Sequence, residues 1–237
     1  MTKRQSEDVN NVMSEFVNTF DEFVACMHFA TKGIEVAGLE LAKQSLTEGH
    51  QTWIASDCED NPKMHARVNT KEFITKSGKN SHFSNEIRKS LLCTMYSLWD
   101  EVYRHRVAKV TGYEARYIEC PLMGDLRKIR HCILHHKSIV PDNGIAFEVL
   151  EWDLLPGKLE VTYELFLDFN DAVRGKGLNI SGFSLPPKLA ELTPEMTNKE
   201  RKSFDEFFKN RENRINSVEW PGLAKFLDRI GQLPEQK

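Results

Sequence analysis

The chain has 237 residues, 40% hydrophobic and 28% charged, with 32 Lys and Arg against 35 Asp and Glu for a formal charge of −3. That is the composition of a folded globular protein, one large domain or a domain with an appendage, and it excludes disordered and collagen-like chains and a uniformly basic nucleic-acid coat. No stretch approaches the roughly 18 to 20 uninterrupted apolar residues of a membrane helix, and Met1 to Asn11 is polar, so no membrane association and a cytoplasmic location are expected.

From Val9 the apolar positions Val9, Val12, Met13, Phe16, Val17, Phe20, Phe23, Val24 and Met27 recur at threes and fours, which predicts one long amphipathic helix. After Gly33, the set Ile34, Ala37, Leu41 and Leu46 predicts a second helix to about Ser45. Between His50 and His82 the chain is polar and rich in turn formers, and reads as a long loop or insertion with little structure of its own. Within it, Gly78-Lys79-Asn80-Ser81 has some lettering of a phosphate loop but lacks the earlier Gly and the preceding apolar strand, so it reads as exposed loop.

A third helix is predicted over Asn85 to Val110, with Leu91, Met95, Leu98 and Val102 in one stripe, Leu92 and Trp99 widening it, and Gly112 placed to stop it. A fourth runs from near Leu122 to about His136 with Leu122, Leu126, Ile129 and Ile133 on one side, and Pro141 to Gly144 then marks a turn. Ile145 to Val161 alternates weakly around Pro156 and Gly157, as a short hairpin would. Thr162 is placed to cap a fifth helix ending at Gly175, Thr197-Asn198-Lys199-Glu200 fits a capping box ahead of a charged, solvated helix to about Arg214, and Leu223 to Ile230 forms a last short helix. The expected fold is mainly α: a helical domain over residues 1–180, interrupted at 50–82, and a C-terminal helical extension over 181–237. Five widely spread cysteines without a C-x-x-C pair read as reduced, mostly buried thiols.

Positive charge is uneven. Between Arg104 and Lys137 eight Lys and Arg face three Asp and Glu, and His105, His131, His135 and His136, half of all the histidines, lie in the same window. On a helical wheel of Leu122 to His136, Leu122, Leu126, Ile129, Cys132 and Ile133 gather on one side while Arg127, Arg130, His131 and His135 fall on its flank. Arginine can hold a phosphate with two parallel hydrogen bonds, and imidazole exchanges a proton near neutral pH. RNA cleavage by its own 2′-hydroxyl needs those two services. A plainer assignment pairs Arg130 and His135 with Asp100 or Glu101 across two helices. His136 falls on the wheel near Ile129, as a partly buried structural imidazole would. His131 and His135, with Cys120 and Cys132 nearby, have the spacing of a metal pair, but no Glu follows His131 and Cys132 points away, so no metal and no cofactor are expected.

The string Gly124-Asp125-Leu126-Arg127-Lys128-Ile129-Arg130-His131-Cys132-Ile133-Leu134-His135-His136-Lys137 resembles the signature helix of the HEPN superfamily: an Arg, a polar residue, three variable residues and a His, filled here by Arg130, His131 and His135. Leu98-Trp99-Asp100-Glu101-Val102-Tyr103-Arg104 is similar to the preceding HEPN helix, with Asp100 as the acidic residue after an aromatic one. The resemblance implies an up-and-down helical bundle, a homodimer whose Arg/His helices meet in one cleft, and a metal-independent endoribonuclease of a toxin–antitoxin or phage-defence system, with an antitoxin or defence-complex protein as a further partner. It makes Arg130 the phosphate clamp, His135 a general acid or base, His131 a second polar contact and Asp100 an orienting group, with Arg127, Arg104, His136 and Lys137 as RNA-binding neighbours. A competing expectation keeps the bundle as a non-catalytic RNA- or nucleotide-binding module.

Overall fold

The computed structural model describes residues 3–44, 47–55, 63–175, 177–182, 192–210 and 219–231. The protein is mainly α, and its contacts divide it into two compact units, Met1–Ser181 and Gly182–Lys237.

The first unit begins with α1, Lys3–Ala42, which at about 1.5 Å per residue is roughly 60 Å long. Val9, Val12, Met13, Phe16, Phe20 and Met27 form its buried face. The break expected at Gly33 does not occur. A helical glycine costs only about 1 kcal/mol relative to alanine, too little to interrupt a helix packed on both sides of it. The glycine that matters is Gly38, where a Cβ would come within 2.6 Å of the Ser77 Cβ.

Residues 50–82 are not the structureless loop expected. They hold an antiparallel hairpin of β1, Gln51–Ala55, and β2, Met64–Asn69, followed by α2, Thr70–Lys76, capped by the Asn69 side chain on the Glu72 amide. Short alternating runs such as Thr52-Trp53-Ile54 carry the strand signal, which the many turn formers around them mask.

Helix α3, His82–Leu98, continues through a π turn, Trp99–Tyr103, into α4, Arg104–Thr111, which Gly112 ends in the left-handed conformation at φ 76°. The π turn places both Trp99 and Tyr103 against the Phe16 ring, with centroids 6.0 and 4.9 Å away. After a 3-10 turn at Ala115–Tyr117 and a two-residue strand β3, Ile118–Glu119, α5 spans Pro121–His135. Leu122, Met123, Leu126, Ile129 and Cys132 are its buried face, and α3 packs against both α1 and α5.

The hairpin expected within 145–161 is replaced by a longer-range pairing: β4, Ile139–Val140, pairs antiparallel with β5, Gly157–Lys158. The turn at Pro141–Gly144 forms as expected, with the Gly144 amide 2.8 Å from the Pro141 carbonyl. The intervening segment is tied to α5 by the fully buried Asp125 carboxylate, which accepts the amides of Glu148 at 2.9 Å, Val149 at 2.7 Å and Leu150 at 3.1 Å. From α3, Asn85 accepts the Val161 amide at 2.7 Å, and the buried Arg88 donates to the carbonyls of Val161 and Lys79 at 2.9 and 2.5 Å. These bonds set the start of α6, Tyr163–Arg174, capped by Thr162 as expected. Lys79 and Asn80, from the glycine-led string, bond Glu164 and help hold that junction.

The second unit contains α7, Asn198–Lys209, with the expected Thr197/Glu200 capping box, and α8, Leu223–Arg229. Phe204 and Phe226 are fully buried, each ring against Trp220, and Arg229 bonds Glu200 at 2.7 Å. The part of the charged helix expected beyond Asn210, to Arg214, lies outside the described residues, as does Cys58. Of the four other cysteines, Cys120 and Cys132 are buried, Cys93 is half-buried and Cys26 is exposed.

Candidate functional site

Helix α5 carries the candidate residues because its apolar stripe turns toward the core and leaves the flanking positions to solvent. Arg130 is half-buried, with its guanidinium carbon 5.4 Å from the centre of the Tyr96 ring on α3. Its Nε is buried without a hydrogen-bond partner, and neither Arg130 nor the exposed Arg127 forms an ion pair among the described residues. The plain assignment of Arg130 to a carboxylate on the neighbouring helix is therefore not what the structure shows.

Asp100 goes elsewhere. It accepts from Arg104 at 2.8 Å, its i,i+4 neighbour across the π turn, and has no contact with Arg130. Arg104 still has a buried, unpartnered Nε. Tyr96 feels all of these groups: burial and the Asp100 charge raise its phenol pKa, while Arg127, Arg104 and Arg130 pull it down. One aromatic ring thus has three guanidinium groups and one carboxylate about it.

Cys93, one turn earlier on α3, completes the surroundings of Arg130. Burial raises its thiol pKa and Arg130 only partly offsets that, which favours the protonated thiol. Sequence reasoning missed Tyr96 and Cys93. The signal is the shared helix face of 93, 96 and 100, which the apolar stripe beside them masks.

At the C-terminal end of α5 three exposed imidazoles meet. The ring centres of His131 and His135 are 4.8 Å apart, those of His131 and His136 4.9 Å apart. Loss of hydration lowers the His131 pKa, and His135, His136 and Arg127 push it the same way, so His131 is a neutral imidazole at neutral pH. None of the three rings makes a hydrogen bond among the described residues.

His136 is not the partly buried residue expected beside Ile129. The helix ends at His135, and His136 as cap residue takes φ −111° and ψ 18°, which carries its exposed ring to His131. Lys137 follows at φ 53°, exposed, in the turn that leaves the helix. Lys128 is structural: it bonds the buried Asp125 and the Ala146 carbonyl.

The structure therefore brings Arg127, His131, His135 and His136 onto one continuous surface, sets Arg130 against Tyr96, and commits Asp100 to Arg104. Such a surface can bind a phosphate through guanidinium groups and offer imidazole for proton transfer beside it. Among the described residues no three His, Cys, Asp or Glu side chains gather as metal ligands, and no helix is long and apolar enough to cross a membrane. An open, apolar cleft lined by Ile34, Ile54, Phe73, Phe83, Ile87 and Leu91 shares no residue with this surface. Compared with known proteins, the chain matches no protein-family profile, no curated protein and no solved structure.

Proposed function

We propose that the first unit is a HEPN-like helical bundle acting as a metal-independent endoribonuclease. The observation that carries this reading is Arg130: a half-buried guanidinium held over Tyr96 with no anionic partner among the described residues, on the same helix as exposed imidazoles one and five residues further on. An arginine desolvated in this way gains most when a phosphate supplies the missing acceptor.

In this reading Arg130 clamps the scissile phosphate, with Arg127 on a neighbouring phosphate oxygen. The RNA 2′-hydroxyl loses its proton as its oxygen attacks the adjacent phosphorus, and the 5′-oxygen leaves with a proton, giving a 2′,3′-cyclic phosphate and a 5′-hydroxyl. His135 serves as the general acid or base, and the neutral His131 is an acceptor for the hydroxyl. Asp100 acts indirectly by fixing Arg104 beside Tyr96. His136 and Lys137 extend the cationic surface along the strand. RNA is the substrate, and a toxin or phage-defence role, with an antitoxin or complex partner, follows the same reading.

A second reading is favoured by one observation: no carboxylate or carbonyl orients any of the three imidazoles among the described residues. A non-catalytic module would bind RNA with salt-dependent affinity and leave it intact. Incubating purified protein with RNA separates the two: cut ends with cyclic phosphate, lost in Arg130→Ala and His135→Ala, support the enzyme, while binding without cleavage supports the module.

A further inference from the structure

We propose that the imidazole cluster at the C-terminal end of α5 makes phosphate binding proton-linked: the surface takes up protons as it takes up a polyanion, and holds it more tightly as pH falls. The inference rests on the phosphate-binding part of the function proposed above, and it holds whether the RNA is then cut or only bound.

Three imidazoles and a guanidinium share this end of the helix. The His131 ring centre is 4.8 Å from that of His135 and 4.9 Å from that of His136, and Arg127 lies one turn before His131. All four side chains are exposed, so each ring can rotate to meet a ligand. Among the described residues no ring of the three has a hydrogen-bond partner or a carboxylate beside it. Structural histidines are held by such partners. These have none, and they stand where a phosphate oxygen would be the first acceptor to reach them.

The charges around the cluster are of one sign. Arg127, His135 and His136 act on His131, and each opposes its protonation. Helix α3 and strand β4 pack on α5. From α3, Lys89, Cys93 and Tyr96 face α5, and Lys89 is bonded at 3.0 Å to Glu86, the one carboxylate of that helix. Strand β4 is Ile-Val and carries no charge. Asp125, the one carboxylate of α5, is bonded to Lys128, Asp100 in the π turn is bonded to Arg104, and Lys137 beyond the helix adds a further cation. Without a ligand, protonating one imidazole therefore puts like charges side by side. A phosphate reverses that balance, because its oxygens accept from protonated rings. Each ring whose pKa rises by about one unit on binding multiplies the affinity at low pH by about ten. A surface of arginine and lysine alone would respond to salt and not to pH in the range around 6.5 where imidazole ordinarily titrates.

The test is binding of a rhodamine-labelled 2′-O-methyl RNA oligonucleotide, whose blocked 2′-oxygen cannot attack, to the full chain at fixed salt between about pH 8 and pH 5.5. Fluorescence anisotropy gives the affinity, and calorimetry at about pH 6.5 in two buffers of different ionisation enthalpy gives the protons taken up. Wild type should bind at least about tenfold more tightly at the lower pH and take up about one proton or more per chain. The double variant His131→Gln with His136→Gln, both at exposed positions, should reduce the pH effect to about threefold or less, whereas His105→Gln, on α4, should leave it unchanged. Circular dichroism checks that every variant keeps its helical content. An affinity that does not change with pH, no net proton uptake, or a pH effect that survives in the double variant would each overturn the proposal while leaving the Arg130 reading in place. No binding at any pH would overturn both.

Discussion

Removing the Asp125 carboxylate should detach the segment around Val149 from the helix that carries the candidate site. Asp125 is fully buried and accepts three consecutive main-chain amides, from Glu148, Val149 and Leu150, as well as the Lys128 ammonium. Only the Leu150 bond is fully buried, so Asp125→Ala leaves that amide dry, at about 2–3 kcal/mol, while the two part-buried amides recover some hydration and lose about 1 kcal/mol each. The expected loss of about 4–5 kcal/mol is a large part of the roughly 5–15 kcal/mol that holds a typical domain folded. For a unit of this length it corresponds to a Tm lower by roughly 10–20 °C. Asp125→Asn retains one acceptor oxygen but turns an NH2 toward the other donors, so it should lose about half as much. Urea and thermal unfolding followed by circular dichroism give both values. An Asp125→Ala protein within about 1 kcal/mol of wild type would refute the view that this carboxylate anchors the segment.

Tyr96→Leu should weaken binding of RNA or another polyanion about five-fold by releasing Arg130 from the ring, whereas Tyr96→Phe keeps the aromatic face and should stay within about two-fold; equal losses in a filter-binding assay would contradict this. His131 is held below its ordinary value, near 6.5, so the unfolded chain takes up its proton more readily than the folded one. Its contribution is neutral at high pH and becomes a loss of stability as pH falls through the unfolded value. The urea midpoint of His131→Gln should therefore gain on that of wild type between about pH 8 and pH 5, and a difference that does not change with pH would contradict the assignment. Gly38→Ala should destabilise the first unit, since its Cβ would lie 2.6 Å from the Ser77 Cβ, while Gly33→Ala, with open space around it, should stabilise it by up to about 1 kcal/mol. Similar unfolding midpoints for the two glycine variants would show that the α1–α2 approach is not tight.

What the sequence reveals here is what is local. Thr162, Thr197 and Gly112 mark helix ends because a cap is a bond within one turn, and the apolar periodicity of α3 and α5 is visible because burial repeats every turn. The π turn at Trp99–Tyr103 is invisible to such periodicity, since Trp99 and Tyr103, four residues apart, share a face in an ordinary α-helix as well. Continuity of α1 through Gly33 is hidden for a related reason, as packing on both sides outweighs a weak local preference. The β1–β2 hairpin is obscured by the polar residues around it, and the β4–β5 pairing joins residues nearly twenty positions apart, beyond any local period. At the candidate site, the wheel of α5 places Arg127, His131 and His135 together without help. The choice of Asp100 for Arg104 over Arg130, and of Tyr96 as the neighbour of Arg130, depends on how two helices face each other, which no spacing within one helix encodes.

The most direct measurement is induction of the wild-type gene in a bacterium beside Arg130→Ala and His135→Ala, with growth followed and total RNA mapped for new 5′-hydroxyl ends. The account predicts growth arrest and new ends from wild type alone, with all three proteins soluble and equally helical. Cleavage that persists unchanged in Arg130→Ala and His135→Ala, or soluble wild-type protein that leaves RNA intact, would contradict it.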